Sequence, residues 1–126
     1  MDKNDILRSL RLPVIVAPMF LVSGPELVIA SSKAGLIGSF PGPNAKTIED
    51  LESWMNTITS SLNGQLWAFN MIAHNTYDRF QDELDLIAKF KPVVTVSTSG
   101  SSGTYLFLFI NKCNLFGCTK VSLSTS

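Results

Sequence analysis

The stretch LPVIVAPMF, Leu12–Phe20, decides the reading of the fold. Leu12–Ala17 is a short run rich in valine and isoleucine, the pattern of a strand buried on both faces in a parallel sheet. Pro13 is tolerable at a strand's start. Pro18 lacks an N–H, so a regular ladder stops there. Proline and methionine at a strand tip give a flat, polarisable apolar surface. The peptide groups beside them are free to face a planar, hydrogen-bonding ligand. A core role for Met19 and Phe20 is the plainer alternative on these residues alone.

Working outward, Ser23 is placed to cap a helix with Pro25 and Glu26 in its first turn, and Gly35 to end it. Leu36–Phe40 reads as a second strand and Pro41–Ala45 as a loop. Thr47-x-x-Asp50 approximates a capping box. It opens a helix striped by Ile48, Leu51, Met55, Ile58 and Leu62 and closed by Asn63-Gly64. Leu66–Ile72 reads as a third strand. Tyr77–Lys91 reads as an amphipathic helix with Phe80, Leu84, Ile87 and Ala88 on its apolar face and Asn75 or Thr76 as its cap. Asp78, Asp82, Glu83 and Asp85 are assigned to its solvated face. Pro92 and a fourth strand, Val93–Val96, follow.

This alternation predicts α/β architecture: βα units joined by right-handed crossovers around a parallel sheet. A doubly wound sheet and a (β/α)8 barrel both satisfy it. In either, ligands bind beyond the carboxyl ends of the strands. Four stretches share that rim: Pro18–Ser23, Phe40–Ala45, Asn70–Thr76 and Ser97–Gly103. The first turn, PMFLVSG, carries neither GxGxxG nor a Walker motif, which argues against a Rossmann or P-loop site. Asn70 is a polar residue inside LWAFNMI, a position that calls for a bonding partner. It can read a ligand edge or tie two loops. His74, the chain's one histidine, falls on the rim as a contact to substrate rather than a catalytic base. Ser39, Pro41 and Asn44 sit where they can shape the mouth, although turn chemistry accounts for Pro41 and Asn44 equally well.

The 126 residues carry zero formal net charge and are 45% hydrophobic. That balance gives no electrostatic footprint for nucleic acid or an anionic membrane. No window reaches the about 18 uninterrupted apolar residues of a membrane span, and the acidic N-terminus is unlike a secretory leader. The expected location is the cytoplasm. Cys113 and Cys118, spaced Cys-x4-Cys without other cysteines or a nearby histidine, are a weak metal signal and read as reduced thiols.

Together, residues 10–97 resemble the nitronate monooxygenase (2-nitropropane dioxygenase) family. The similarity rests on LPVIVAPMFLVSGPELVIASSKAGLIGSFPGPNAKT, on WAFNMIAHN, and on the amphipathic helix followed by KPVVTVS. The resemblance implies a TIM (β/α)8 barrel, FMN as cofactor, and oxidation of alkyl nitronates with O2. A wider circle of that architecture includes a flavin-dependent enoyl-acyl carrier protein reductase. Ala17, Pro18 and Met19 would line the flavin ring and Asn70 would bond FMN. Many members have Ala-Gly after the Met. Here Phe20-Leu21 stands there, which implies a differently shaped pocket with Phe20 on the substrate side.

A complete barrel takes roughly 250 residues, so residues 1–96 are expected to form its N-terminal half, about four of eight strands. The phosphate loops and the family's catalytic histidine would lie beyond them. From Val93 onward the sequence has no acid and only Lys112 and Lys120 as charges. Residues 97–126 are therefore read as an atypical, frameshifted or non-native tail, with an extra edge strand as the less favoured alternative. The expectation is a truncated fragment without its catalytic base. It would be prone to self-association through open sheet edges, or else a non-enzymatic oligomerising unit.

Overall fold

A computed structural model of the chain describes residues 3–72, 77–98, 107–110 and 121–122. After helix α1 (Lys3–Ser9) the alternation runs α2 (Pro25–Lys33), β1 (Gly38–Pro41), α3 (Ile48–Ser61), β2 (Trp67–Ile72), α4 (Phe80–Phe90) and β3 (Val94–Thr98). Strands β1, β2 and β3 pair in parallel, with Gly38 opposite Trp67 and Ala68 opposite Val94. The α/β reading with a parallel sheet therefore holds at this level. Two further strands, β4 (Phe107–Ile110) and β5 (Val121–Ser122), extend the sheet in antiparallel fashion in the order β1-β2-β3-β4-β5. Within residues 97–126, the described residues beyond Thr98 are these two short strands.

Residue alternation gives the sheet two faces. Phe40, Trp67, Phe69 and Met71 face the helices and pack with Val28, Leu51, Met55, Ile58 and Leu86. Phe40 is the hub. Its ring lies 5.3 Å from Phe69 edge-on and 6.3 Å from Trp67 nearly parallel. Helix α2 comes so close to β1 that a Cβ on Gly38 would lie 2.5 Å from the Val28 carbonyl oxygen. The opposite face is covered by a smaller cluster of Ile6, Ile37, Leu66 and Ala68, with Ile6 supplied by α1.

Most local signals act as read. Thr47 caps α3 by accepting from the Asp50 N–H at 3.0 Å. α2 stops at Lys33, shortly before Gly35, and α4 stops before Pro92. Ser23 does not cap α2; the cap position belongs to Gly24, without a side-chain bond.

Two readings need larger correction. Leu12–Ala17 is not a strand buried on both faces. It makes one parallel bridge, Ile15 to Ile37, supported by Val16 N–H to Ile37 O (2.9 Å) and Ile37 N–H to Val14 O (3.0 Å). Its other edge has no strand beside it among the described residues, and Leu12 and Val14 remain exposed. Helix α4 is also rotated from its expected face. Phe80 and Ala88 are exposed, whereas Glu83 is fully buried beside Leu86.

Candidate functional site

The carboxyl ends of the parallel strands bring together three of the four expected rim stretches. Segment 17–24 follows the bridged stretch, Pro41–Ala45 follows β1, and Asn70 lies near the end of β2, in register with Pro41. Of the fourth stretch, Ser97 and Thr98 belong to β3. His74 lies outside the described residues, as do Asn75, Thr76, Cys113 and Cys118.

Residues 19–23 form a tight turn. The Met19 carbonyl accepts from the N–H groups of Ser23 (3.0 Å) and Val22 (3.2 Å). Ser23 Oγ accepts from the Met19 N–H at 2.9 Å, the task its hydroxyl performs in place of helix capping. Asn44 grips the same turn from the next loop. Its Oδ1 accepts from Leu21 N–H (2.8 Å), and its Nδ2 donates to the carbonyls of Met19 (3.0 Å) and Ser23 (2.7 Å). Ser39 Oγ donates to the Val16 carbonyl just below. These bonds hold an apolar tip out in solvent: Met19, Phe20, Leu21 and Val22 are all exposed. Ala17 is exposed and Pro18 half-buried. The structure thus makes Met19 and Phe20 a surface, not core.

Asn70 is buried, and among the described residues its Oδ1 has no hydrogen-bond partner. An unpaired acceptor in that setting costs about 1–3 kcal/mol. A ligand that brings an N–H or O–H to this oxygen and a flat apolar face to the Pro18–Met19 tip fits the two features. A flavin is one molecule that carries both features.

Beneath the second loop lies a polar cluster that the row of acids concealed. Glu83 Oε1 accepts from the Tyr77 hydroxyl at 2.6 Å and lies 3.6 Å from Arg79 Nη2. Arg79 Nη1 donates to the Ala45 carbonyl at 2.7 Å. Burial pushes the Glu83 carboxyl above its usual range, partly offset by the Tyr77 hydrogen bond and the Arg79 charge. Burial and the Glu83 hydrogen bond push the Tyr77 hydroxyl up as well. The i, i+4 spacing of Arg79 and Glu83, with Tyr77 just ahead, was the available sequence signal.

A depression of about 180 Å³ lies at the opposite end of the strands, lined by residues including Ser9, Gly35, Asn63 and Leu66. Among the described residues no group of three or more His, Cys, Asp or Glu side chains could hold a metal ion. Among them, too, no helix is long and apolar enough to cross a membrane.

No protein-family model matches this chain, and no curated protein matches it. Among solved structures, it is similar to the enoyl reductase domain of MlnA from the macrolactin biosynthesis cluster of Bacillus amyloliquefaciens. The TM-score is 0.65 at 24% identity, over 77% of this chain and 23% of that one. The likeness is one of fold. This chain spans less than a quarter of that protein's length.

Proposed function

We propose that this chain forms one wall of an FMN site in a βα-barrel oxidoreductase of the nitronate monooxygenase type. In this reading residues 3–98 are the first βα units of the barrel. The observation that carries it is the buried Asn70 Oδ1 on the strand-end rim, which has no partner among the described residues. The exposed tip beside the bridged strand and the fold likeness support it. When bound, FMN supplies the electron acceptance that oxidation of a nitronate requires. The protein's own residues bind and orient. Asn70 Oδ1 takes a donor from the flavin or its ribityl chain, and Ala17, Pro18 and Met19 present the surface against the ring. Phe20 is the substrate-side contact, and His74, outside the described residues, is given the same role on its sequence position alone. O2 is the second substrate in this reading.

A second reading keeps the flavin wall and changes the substrate. The similarity to an enoyl reductase domain favours a conjugated thioester as the compound reduced. The two part in one experiment. An alkyl nitronate added anaerobically bleaches the flavin in the first case. A nicotinamide reductant with an enoyl thioester is consumed in the second.

Binding itself is tested by titrating FMN with the full chain and following quenching of flavin fluorescence. The expected result is saturable quenching that Asn70→Leu weakens at least about tenfold, the loss of one buried hydrogen bond. Absence of quenching by the unaltered chain, or equal quenching by the variant, would overturn the flavin reading.

A further inference from the structure

The bracket that holds the apolar tip is itself held from beneath. Gly42–Asn44 is a single tight turn between Pro41 and Ala45, closed by Ala45 N–H to the Gly42 carbonyl at 3.1 Å. Pro41 and Pro43 limit the ways this turn can deform. Its upper side carries Asn44, with three hydrogen bonds to residues 19–23. Its lower side rests on helix α4. A Cβ on Gly42 would sit 2.5 Å from Glu83 Oε1 and 2.9 Å from the Phe69 ring, so the Gly42 backbone lies directly on the carboxylate. One step along, Arg79 donates to the Ala45 carbonyl and faces Glu83.

We propose that Arg79 and Glu83 are positioning residues for the rim. They fix the Gly42–Ala45 turn, and through Asn44 that turn fixes the Met19–Ser23 tip. Neither contacts the tip. The burial of an ionisable group beside Leu86, on a helix that packs on the core through Leu84, Leu86, Ile87 and Phe90, is explained by this task. Glu83 holds Arg79 in place, Arg79 holds the turn, and Gly42 leaves room for the carboxylate. Its importance for ligand binding rests on the flavin reading above, but the positioning itself does not.

The test is amide hydrogen exchange on the full chain without flavin, read for residues 17–24 against the amides of β2. Asn44→Ala is expected to speed exchange in 17–24 directly. Arg79→Met is expected to speed it about 5- to 10-fold there, near the worth of one hydrogen bond, while β2 keeps its protection. The double variant should exchange no faster than Asn44→Ala alone, because both act through one link. Glu83→Gln keeps the acceptor for Tyr77 and the seat of Gly42 but, at a pH high enough to ionise the buried carboxyl, not the charge facing Arg79. It is the milder variant should Arg79→Met fail to fold, with an expected rise of about 2- to 3-fold at the same residues. The proposal is overturned if either folded variant leaves 17–24 as protected as before. It is equally overturned if exchange rises alike in β2, or if the double variant multiplies the two single effects. Failure of the FMN titration would leave these exchange results standing, so the two ideas are judged separately.

Discussion

Strand β2 and segment 12–22 are both apolar runs, and the chain treats them in opposite ways. β2 lies between β1 and β3, with helices over one face. Phe69 is 0% exposed and Trp67 5%. Among the described residues, segment 12–22 has one strand beside it, bridged at Ile37, and otherwise only the polar grip of Ser39 and Asn44. Phe20 is 65% exposed and Leu21 79%. Side-chain chemistry is similar in the two, so hydropathy alone does not set burial. Burial follows from how many elements close around a segment. An apolar segment with a single strand beside it stays open to whatever else the fold meets, whether ligand or polypeptide.

The largest effect that can break this comparison is truncation on its two sides. Phe69→Ala should cost about 3–5 kcal/mol, since it empties a site touched by Phe40 and sealed by α4. Phe20→Ala should change stability by less than about 0.5 kcal/mol. Urea unfolding measures both. A cost at Phe20 approaching that at Phe69 would mean the tip is covered in solution, as self-association through this edge requires.

Asn70 sharpens the comparison, because β2 holds one position that folding alone does not favour. Replacing an unpaired buried acceptor with an apolar side chain of similar volume removes its desolvation cost. Asn70→Leu should therefore raise stability by about 1 kcal/mol while weakening FMN binding. A loss of stability instead would show that Asn70 serves the fold, and would weaken the flavin reading with it.

Glu83 gives a smaller, pH-dependent effect. Its carboxyl is raised above the ordinary value of 4.5 by burial, with Tyr77 and Arg79 opposing. The folded chain therefore holds this proton at pH values where the unfolded chain has released it. The stability from this group is fully present below the unfolded value of 4.5 and declines as pH rises through the folded value. The decline is at most about 1.4 kcal/mol per pH unit for one proton. Urea midpoints measured from pH 4.5 upward should carry this downward component, and Glu83→Gln should lack it. Identical pH profiles for the two proteins would place the Glu83 carboxyl at its ordinary value.

What could be read ahead was what is local. The Thr47 cap is a three-residue contact, and the alternation of strand and helix repeats over short spans. Asn70 was visible because a polar residue breaks an apolar run. Contacts made across the chain were hidden. Asn44 grips residues 21–25 positions away, and a loop asparagine carries no mark of that. Glu83 looked like its neighbours Asp82 and Asp85, since its burial depends on Arg79 reaching the Ala45 carbonyl 34 residues upstream. The apolar character of Leu12–Ala17 was plain, but its exposure depends on what lies beside it in space.

The smallest expected effect concerns Leu21, which holds φ at 62°, in the left-handed region. A leucine there costs about 1 kcal/mol relative to the usual helical region. It is also exposed, so its side chain recovers little by packing. The Asn44 bond to its N–H helps to hold the conformation. Leu21→Asn suits the left-handed region and should raise stability by about 0.5–1 kcal/mol. Leu21→Val, branched at Cβ, should lower it by a similar amount. Equal unfolding midpoints for all three proteins would show that the turn relaxes in solution and stores no strain. If the order holds, the tip keeps an exposed apolar residue in a costly conformation that asparagine would relieve.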